Sequence, residues 1–175
     1  MQNSLLLWIA LALAVFWAVG VHNRLMRLRA AVWDAAASFE RQMQLLMGLC
    51  KETMLERESS DPGFDALAVA LQTMAQSMKS TKQAKAAAAD YCAAMGAPWG
   101  QMQQSAQALF PATDGAVEPQ PGASDASRWN DGCTKANFAK AAATLAVADY
   151  NAALRQAPAC WVAGFMGFHP LAPVA

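Results

Sequence analysis

Residues 4–57 read SLLLWIALALAVFWAVGVHNRLMRLRAAVWDAAASFERQMQLLMGLCKETMLER, and two properties of this run decide the fold. The first belongs to Ser4 through Val21, which carries no charged side chain. Eighteen residues at about 1.5 Å each make a helix about 27 Å long, close to the hydrocarbon thickness of a bilayer. Ten of them are Leu, Ile, Val or Phe, each favouring insertion by roughly 0.3 to 0.6 kcal/mol. Trp8 and Trp17 lie toward its two ends, where indole rings suit a membrane interface. The second property is periodicity beyond His22. Leu25, Leu28, Val32, Ala35 or Ala36, Phe39, Met43, Leu46, Cys50 and Met54 recur at steps of three and four, the signature of one helical face. No proline interrupts the run, and Gly48 is its single weak point. The sequence therefore predicts one helix from the apolar segment to about Arg57, about 80 Å long.

A cleaved signal peptide would require a basic start, a shorter apolar core and a small-x-small cleavage triplet. Met1-Gln2-Asn3 has no basic side chain and the apolar run is too long, which leaves only Ala18-Val19-Gly20 as a passable triplet. An uncleaved anchor over residues 1–21 is the reading that fits, with the lipid bilayer as partner of residues 4–21. Arg24, Arg27 and Arg29 follow the span and no Lys or Arg precedes it. By the positive-inside rule, residues 22–175 are expected on the cytoplasmic side of the cell (inner) membrane, in a single-pass arrangement.

Setting those 21 residues aside leaves 154 of the 175, which suits one domain with a modest core. Thirteen basic and thirteen acidic side chains cancel, so no net field attracts nucleic acid. Cys50, Cys92, Cys133 and Cys160 form no C-x-x-C pair and have no histidine at ligand spacing. They read as free, mostly buried thiols in a reducing compartment, although in an oxidising one the same four can pair.

Breakers divide the rest. Ser59-Ser60-Asp61-Pro62-Gly63 closes the first helix and opens a second, with Ser60 or Asp61 as cap and Pro62 in its first turn. That second helix is expected from about Phe64 to Met95, with Leu67, Leu71, Met74, Met78, Ala86 or Ala89, and Cys92 inward, ending at Gly96-Ala97-Pro98. A shorter helix follows from Trp99 to Leu109, on Met102, Ala106 and Leu109. Three prolines and two glycines mark about 111–127 as an exposed loop. A last helix, Trp129 to Gln156, is expected to bury Phe138, Leu145, Ala148 or Asp149, and Ala152, and to stop before Pro158. The apolar tail 159–168, with Trp161, Val162, Phe165, Met166 and Phe168, is expected to fold back on the bundle or to lie against the bilayer. With hardly any Ile, and few Val outside the first segment, a sheet has nothing to build from. The class is all-α, an N-terminal transmembrane helix continuing into an antiparallel bundle of about four helices. Seven of the ten methionines fall at core spacing and read as filler.

Two separated stretches carry a resemblance. His22-Asn23-Arg24-Leu25-Met26-Arg27-Leu28-Arg29-Ala30-Ala31-Val32 is similar to the Y-N-x-L-V-x-x-R-N-x-V entry of LemA family proteins, with Asn23, Leu25, Arg29 and Val32 matching and His22 replacing tyrosine. Tyr150-Asn151 through Pro158, followed by Gly167-Phe168-His169-Pro170, resembles that family's closing Y-N-x-x-x-x-x-x-P and G-F-x-P. Met43 to Cys50 departs from the family's arginine-rich centre, and Ala142-Ala143 replaces an earlier Y-N pair. The resemblance implies a membrane-extended helical bundle without established catalysis. It also implies that Asn23, Leu25, Arg29, Val32, Tyr150, Asn151, Pro158, Gly167, Phe168 and Pro170 are motif positions with a structural role.

No catalytic, cofactor or metal residue is singled out: the charged residues show no paired-carboxylate, nucleophile or phosphate-loop pattern, and His22 and His169 have no partner at motif spacing. The expected function is a non-enzymatic, membrane-tethered scaffold that presents its bundle to an unknown protein partner. The alternative is a homo-oligomerising membrane subunit that packs through Ala10, Ala12, Ala14, Ala18 and Gly20; an enzyme is the third and least supported reading.

Overall fold

The computed structural model describes residues 2–56, 62–83, 88–110, 123–156 and 159–172. Among these residues helix is the only regular secondary structure, with no strand. The elements are α1 (Gln2–Glu56), α2 (Pro62–Gln83), α3 (Ala88–Leu109), α4 (Ala123–Arg155) and the short α5 (Ala159–Phe165). Helix α1 runs unbroken through Gly48, which is exposed and costs the helix only about 1 kcal/mol relative to alanine.

Helices α1 and α4 pair along their length. Arg128 meets Glu52 at 3.5 Å, Gly132 packs on Leu46, and Ala35 and Ser38 share a groove with Phe138 and Ala142. As numbers fall along α1 they rise along α4, so the two are antiparallel. Helices α2 and α3 form the second hairpin; only residues 84–87 join them, so they too run antiparallel. The hairpin meets α1 where the Lys82 ammonium pairs with Glu40 and where Trp99 packs edge-on against Phe39 at 6.3 Å. At the far end Phe110 stacks on Trp129 at 5.4 Å. Chain directions therefore alternate through a four-helix bundle.

The stripe expected on α1 is the core. Leu25, Val32, Ala36, Phe39, Met43, Leu46 and Cys50 are buried, with Leu28 and Met54 packed at its margin. On the hairpin Leu67, Leu71, Met74, Met78, Cys92, Met102, Ala106 and Leu109 are buried as well. Thr53, the one buried polar side chain among those described, donates its hydroxyl to the Leu49 carbonyl at 3.0 Å.

Three expectations are corrected. The second helix is described to Gln83 and the third begins at Ala88, so the division does not fall at Gly96-Ala97-Pro98, and Pro98 lies inside α3. Tyr91, Cys92, Met95, Trp99 and Met102 continue one buried face across the proline, and burying that face outweighs the roughly 3 kcal/mol that an interior proline costs. Ala86 falls outside the described residues. Helix α4 starts at Ala123 rather than Trp129, so residues 123–127 of the expected loop are helical, with Asp125 in the first turn and Ala126 buried; residues 111–122 fall outside the described residues.

The third correction is the face of α4. Phe138 and Leu145 are exposed, as are Ala148, Asp149 and Ala152. What is buried is Trp129, Ala136, Ala139, Ala143, Val147, Tyr150, Ala153 and Leu154. Small residues line the contact with α1 because the backbones approach closely: a Cβ added at Gly132 would run into the Leu46 side chain. Large size was a misleading guide to the inner face of a helix whose fit depends on alanine.

Candidate functional site

Two features of the molecule stand apart from ordinary core packing. One is the N-terminal part of α1. Helix α1 is long and apolar enough there to cross a membrane, and none of its most apolar window is buried in the bundle. Leu6, Leu7, Trp8, Leu13 and Phe16 project freely. The cover begins at the end of this stretch, where Ala18, Val21 and His22 are half-buried and Leu25 is fully buried.

The other feature is the junction just beyond it, where the C-terminal tail meets α1 at His22. Tyr150 and Asn151, near the end of α4, hold the tail against the bundle. The Tyr150 hydroxyl donates to the carbonyl of His169 at 3.3 Å. The Asn151 amide donates through Nδ2 to the Leu171 carbonyl at 2.9 Å and accepts the Leu171 N–H on Oδ1 at 2.9 Å, so one side chain satisfies both backbone groups of a residue twenty positions away. Burial pushes the Tyr150 phenol pKa up, while the nearby Arg29 guanidinium pulls against that shift.

Between α4 and this clamp the chain makes α5 and a sharp turn. Phe168 donates its N–H to the Ala163 carbonyl at 3.0 Å, with Gly167 at φ 72° between them. This is the left-handed C-terminal cap that favours glycine, and it swings Phe168 back toward α1. There the Phe168 ring lies 5.7 Å from that of His22, whose Nδ1 is 3.1 Å from the Met166 sulfur.

Of the motif positions, Leu25 and Val32 are buried core residues, while Asn23 and Arg29 are exposed on α1. Tyr150, Asn151, Gly167 and Phe168 converge on the junction, and Pro170 is exposed within the clamped tail. Pro158 falls outside the described residues. The tail does pack on the bundle, but not through its largest residues: Ala163 is buried and Phe168 and Leu171 are half-buried, whereas Trp161 is 77% and Phe165 92% exposed. The side chain of Val162 falls outside the described residues. Sequence reasoning missed Leu171 as the partner of Asn151, and the contact of His22 with Met166 spans 144 positions, a pairing without a local sequence signal.

The thiols are free. Cys50 and Cys92 are buried and Cys133 and Cys160 half-buried. Burial pushes Cys50 up to about 12, with Cys133 adding to the rise, and Cys92 up to about 11 against the pull of Lys140. Burial likewise raises the Tyr91 phenol, and the Glu40 carboxylate it faces adds to the effect; its hydroxyl makes no hydrogen bond of good geometry among the described atoms. Among the described residues no three His, Cys, Asp or Glu side chains converge as a metal site would need.

The class these features define is an all-α bundle whose first helix extends beyond it as an uncovered apolar rod. No family model, curated protein or solved structure matches the chain.

Proposed function

We infer that this protein is a single-pass membrane protein that tethers a helical scaffold at the cytoplasmic face of the cell membrane and presents it to another protein. The observation that carries the reading is the bare apolar surface of α1: Leu6 to Trp17 has no cover from the bundle, and its large side chains in water would each forgo roughly 1.5 to 3 kcal/mol of burial. A bilayer supplies that cover. Arg24, Arg27 and Arg29, all exposed just beyond the span, favour the cytoplasmic orientation. The resemblance to LemA proteins at both termini agrees with this architecture.

For a protein partner the best-suited surface is the seam of α1 and α4 on the side away from the hairpin. There exposed Phe138 borders a groove of about 400 Å³ between Ala35, Ser38 and Ala142, a shape and chemistry that accept an apolar anchor. Fractionation tests the tether: the protein should stay with membranes through carbonate and high-salt washing, and recovery from cells of a soluble form lacking residues 1–20 would refute it. Labelling of Cys133 by an impermeant maleimide in cells with only the outer barrier opened would reverse the orientation. A photocrosslinker at Phe138 should give a heteromeric band; a ladder of self-adducts would favour the homo-oligomer, for which Ala10, Ala14 and an unobstructed Gly20 allow close helix approach.

A further inference from the structure

We propose that α5 and the turn after it form a second, interfacial membrane contact, a foot that rests in the headgroup layer beside the span with Trp161 and Phe165 inserted. The proposal rests on the membrane-spanning reading of α1 and adds a separate lipid contact to it.

Position carries the argument. The tail is clamped to the bundle by Tyr150 and Asn151 and touches α1 at His22, one residue past the apolar run. The half-burial of Ala18 and Val21 places cover inside the last turn of that run. If residues 4–21 span the bilayer, α5 lies at the level of its headgroups. The last turn of α4, which leads into α5, shares this end of the bundle, whereas the α2–α3 hairpin meets α1 at Glu40, eighteen residues or about 27 Å farther along the helix.

Chemistry agrees with position. Trp161 and Phe165 are one helical turn apart on α5, and both point away from the protein. Met166, 43% exposed, follows them. Met166 lays part of its side chain against His22, but the bundle leaves Trp161 and Phe165 almost wholly outside its packing. From Gln156 to Ala175 the chain contains no Asp, Glu, Lys or Arg, so no charge must be dragged toward the lipid. Arg24, Arg27 and Arg155 are exposed close by in the chain and suit anionic headgroups. An indole suits the aromatic belt of a membrane interface, where its ring and N–H meet different media, and a phenylalanine beside it suits the apolar face of an interfacial helix. Interfacial segments of this kind bury their apolar face about 5 to 10 Å into the headgroup boundary. The foot would fix the tilt of the bundle over the membrane and thereby the direction in which the α1–α4 seam faces.

The test uses the full chain in vesicles of phosphatidylcholine and phosphatidylglycerol, with acyl chains brominated near the headgroup as the quencher. In a reporter variant Trp8, Trp17 and Trp33 are each replaced by phenylalanine, leaving Trp161 with the core residues Trp99 and Trp129, both 2% exposed and out of reach of lipid. Subtracting the same variant carrying Trp161→Phe isolates the Trp161 signal. A companion variant keeps Trp17 instead. The expected result is that brominated lipid quenches Trp161 to an extent comparable with Trp17, and that aqueous acrylamide quenches it several-fold less than free N-acetyltryptophanamide. If Trp17 is quenched by lipid while Trp161 is open to acrylamide, the anchor stands and the foot is overturned. If Trp161 is shielded from acrylamide and also from lipid, its cover is protein and the proposal fails. If neither tryptophan is reached by lipid, the membrane-spanning reading falls and takes the foot with it.

Discussion

Replacing Asn151 by alanine tests the clamp that orders the tail. The substitution removes two hydrogen bonds at 2.9 Å and leaves the N–H and C=O of Leu171 without their partner. Each such bond contributes about 0.5 to 1.5 kcal/mol net. Asn151 and Leu171 are half-buried, so water replaces part of what is lost, and a total of about 1 to 2 kcal/mol is expected. For a domain of this size that corresponds to a fall in Tm of roughly 2 to 8 °C. Asn151→Asp should be at least as damaging, because an ionised carboxylate still accepts from the Leu171 N–H but confronts the Leu171 carbonyl with a second acceptor. Asn23 is the control: it is also a motif asparagine, but it is exposed, and Asn23→Ala should change stability by less than about 0.5 kcal/mol. Circular dichroism at 222 nm on the detergent-solubilised full chain reads Tm, and hydrogen exchange reads protection of the Leu171 amide. Equal melting of the Asn151→Ala and Asn23→Ala proteins, together with an unchanged Leu171 exchange rate, would refute the clamp.

The two glycines of the α1–α4 pair should respond oppositely. Gly48→Ala meets no atom within 4 Å on an exposed face and should stabilise by about 1 kcal/mol, whereas Gly132→Ala drives a methyl into Leu46 and should lower Tm unless that side chain finds another rotamer. Stability should also fall in alkali. Cys50 and Cys92 are raised from 9.0 to about 12 and about 11 in the folded state, so the unfolded chain ionises first. Their contribution is complete below pH 9 and is lost as pH rises toward 11 to 12, by about 1 kcal/mol per thiol between pH 8 and 10; denaturant titrations at the two values measure it, and Cys92→Ala should remove its share. At pH 8 a small maleimide should modify Cys133 and Cys160 before Cys50 and Cys92, and mass mapping that found Cys50 labelled first would contradict the packing of α1.

Much of this molecule is legible from residue order alone. A long uncharged apolar run followed by a three-four repeat without proline dictates a single helix, because the 3.6-residue period leaves one face to bury and nothing to break the backbone hydrogen bonds. That reasoning placed Leu25, Val32, Phe39, Met43, Leu46 and Cys50 in the core, and Leu67, Leu71, Met74 and Met78 opposite them. Local rules were weaker wherever tertiary contact could override them. Pro98 reads as a stop, yet α3 passes through it because the face that continues on both sides is buried. In α4, alanines outnumber large apolar residues on every side, so periodicity cannot choose a face; the choice came from Gly132 fitting under Leu46, a contact between helices more than eighty residues apart in sequence. The aromatic tail was legible as apolar but not as a clamp. Its ordering depends on the Asn151 amide matching the backbone of Leu171 and on a left-handed turn at Gly167 that brings Phe168 to His22. Composition and period are properties of the chain, and by themselves they determined the helical class, the single long α1 and the buried stripes of α1 and of the hairpin. Which small face is inside, which aromatic is left out and where the two ends meet depend on distances between segments, and only the tertiary structure decided those.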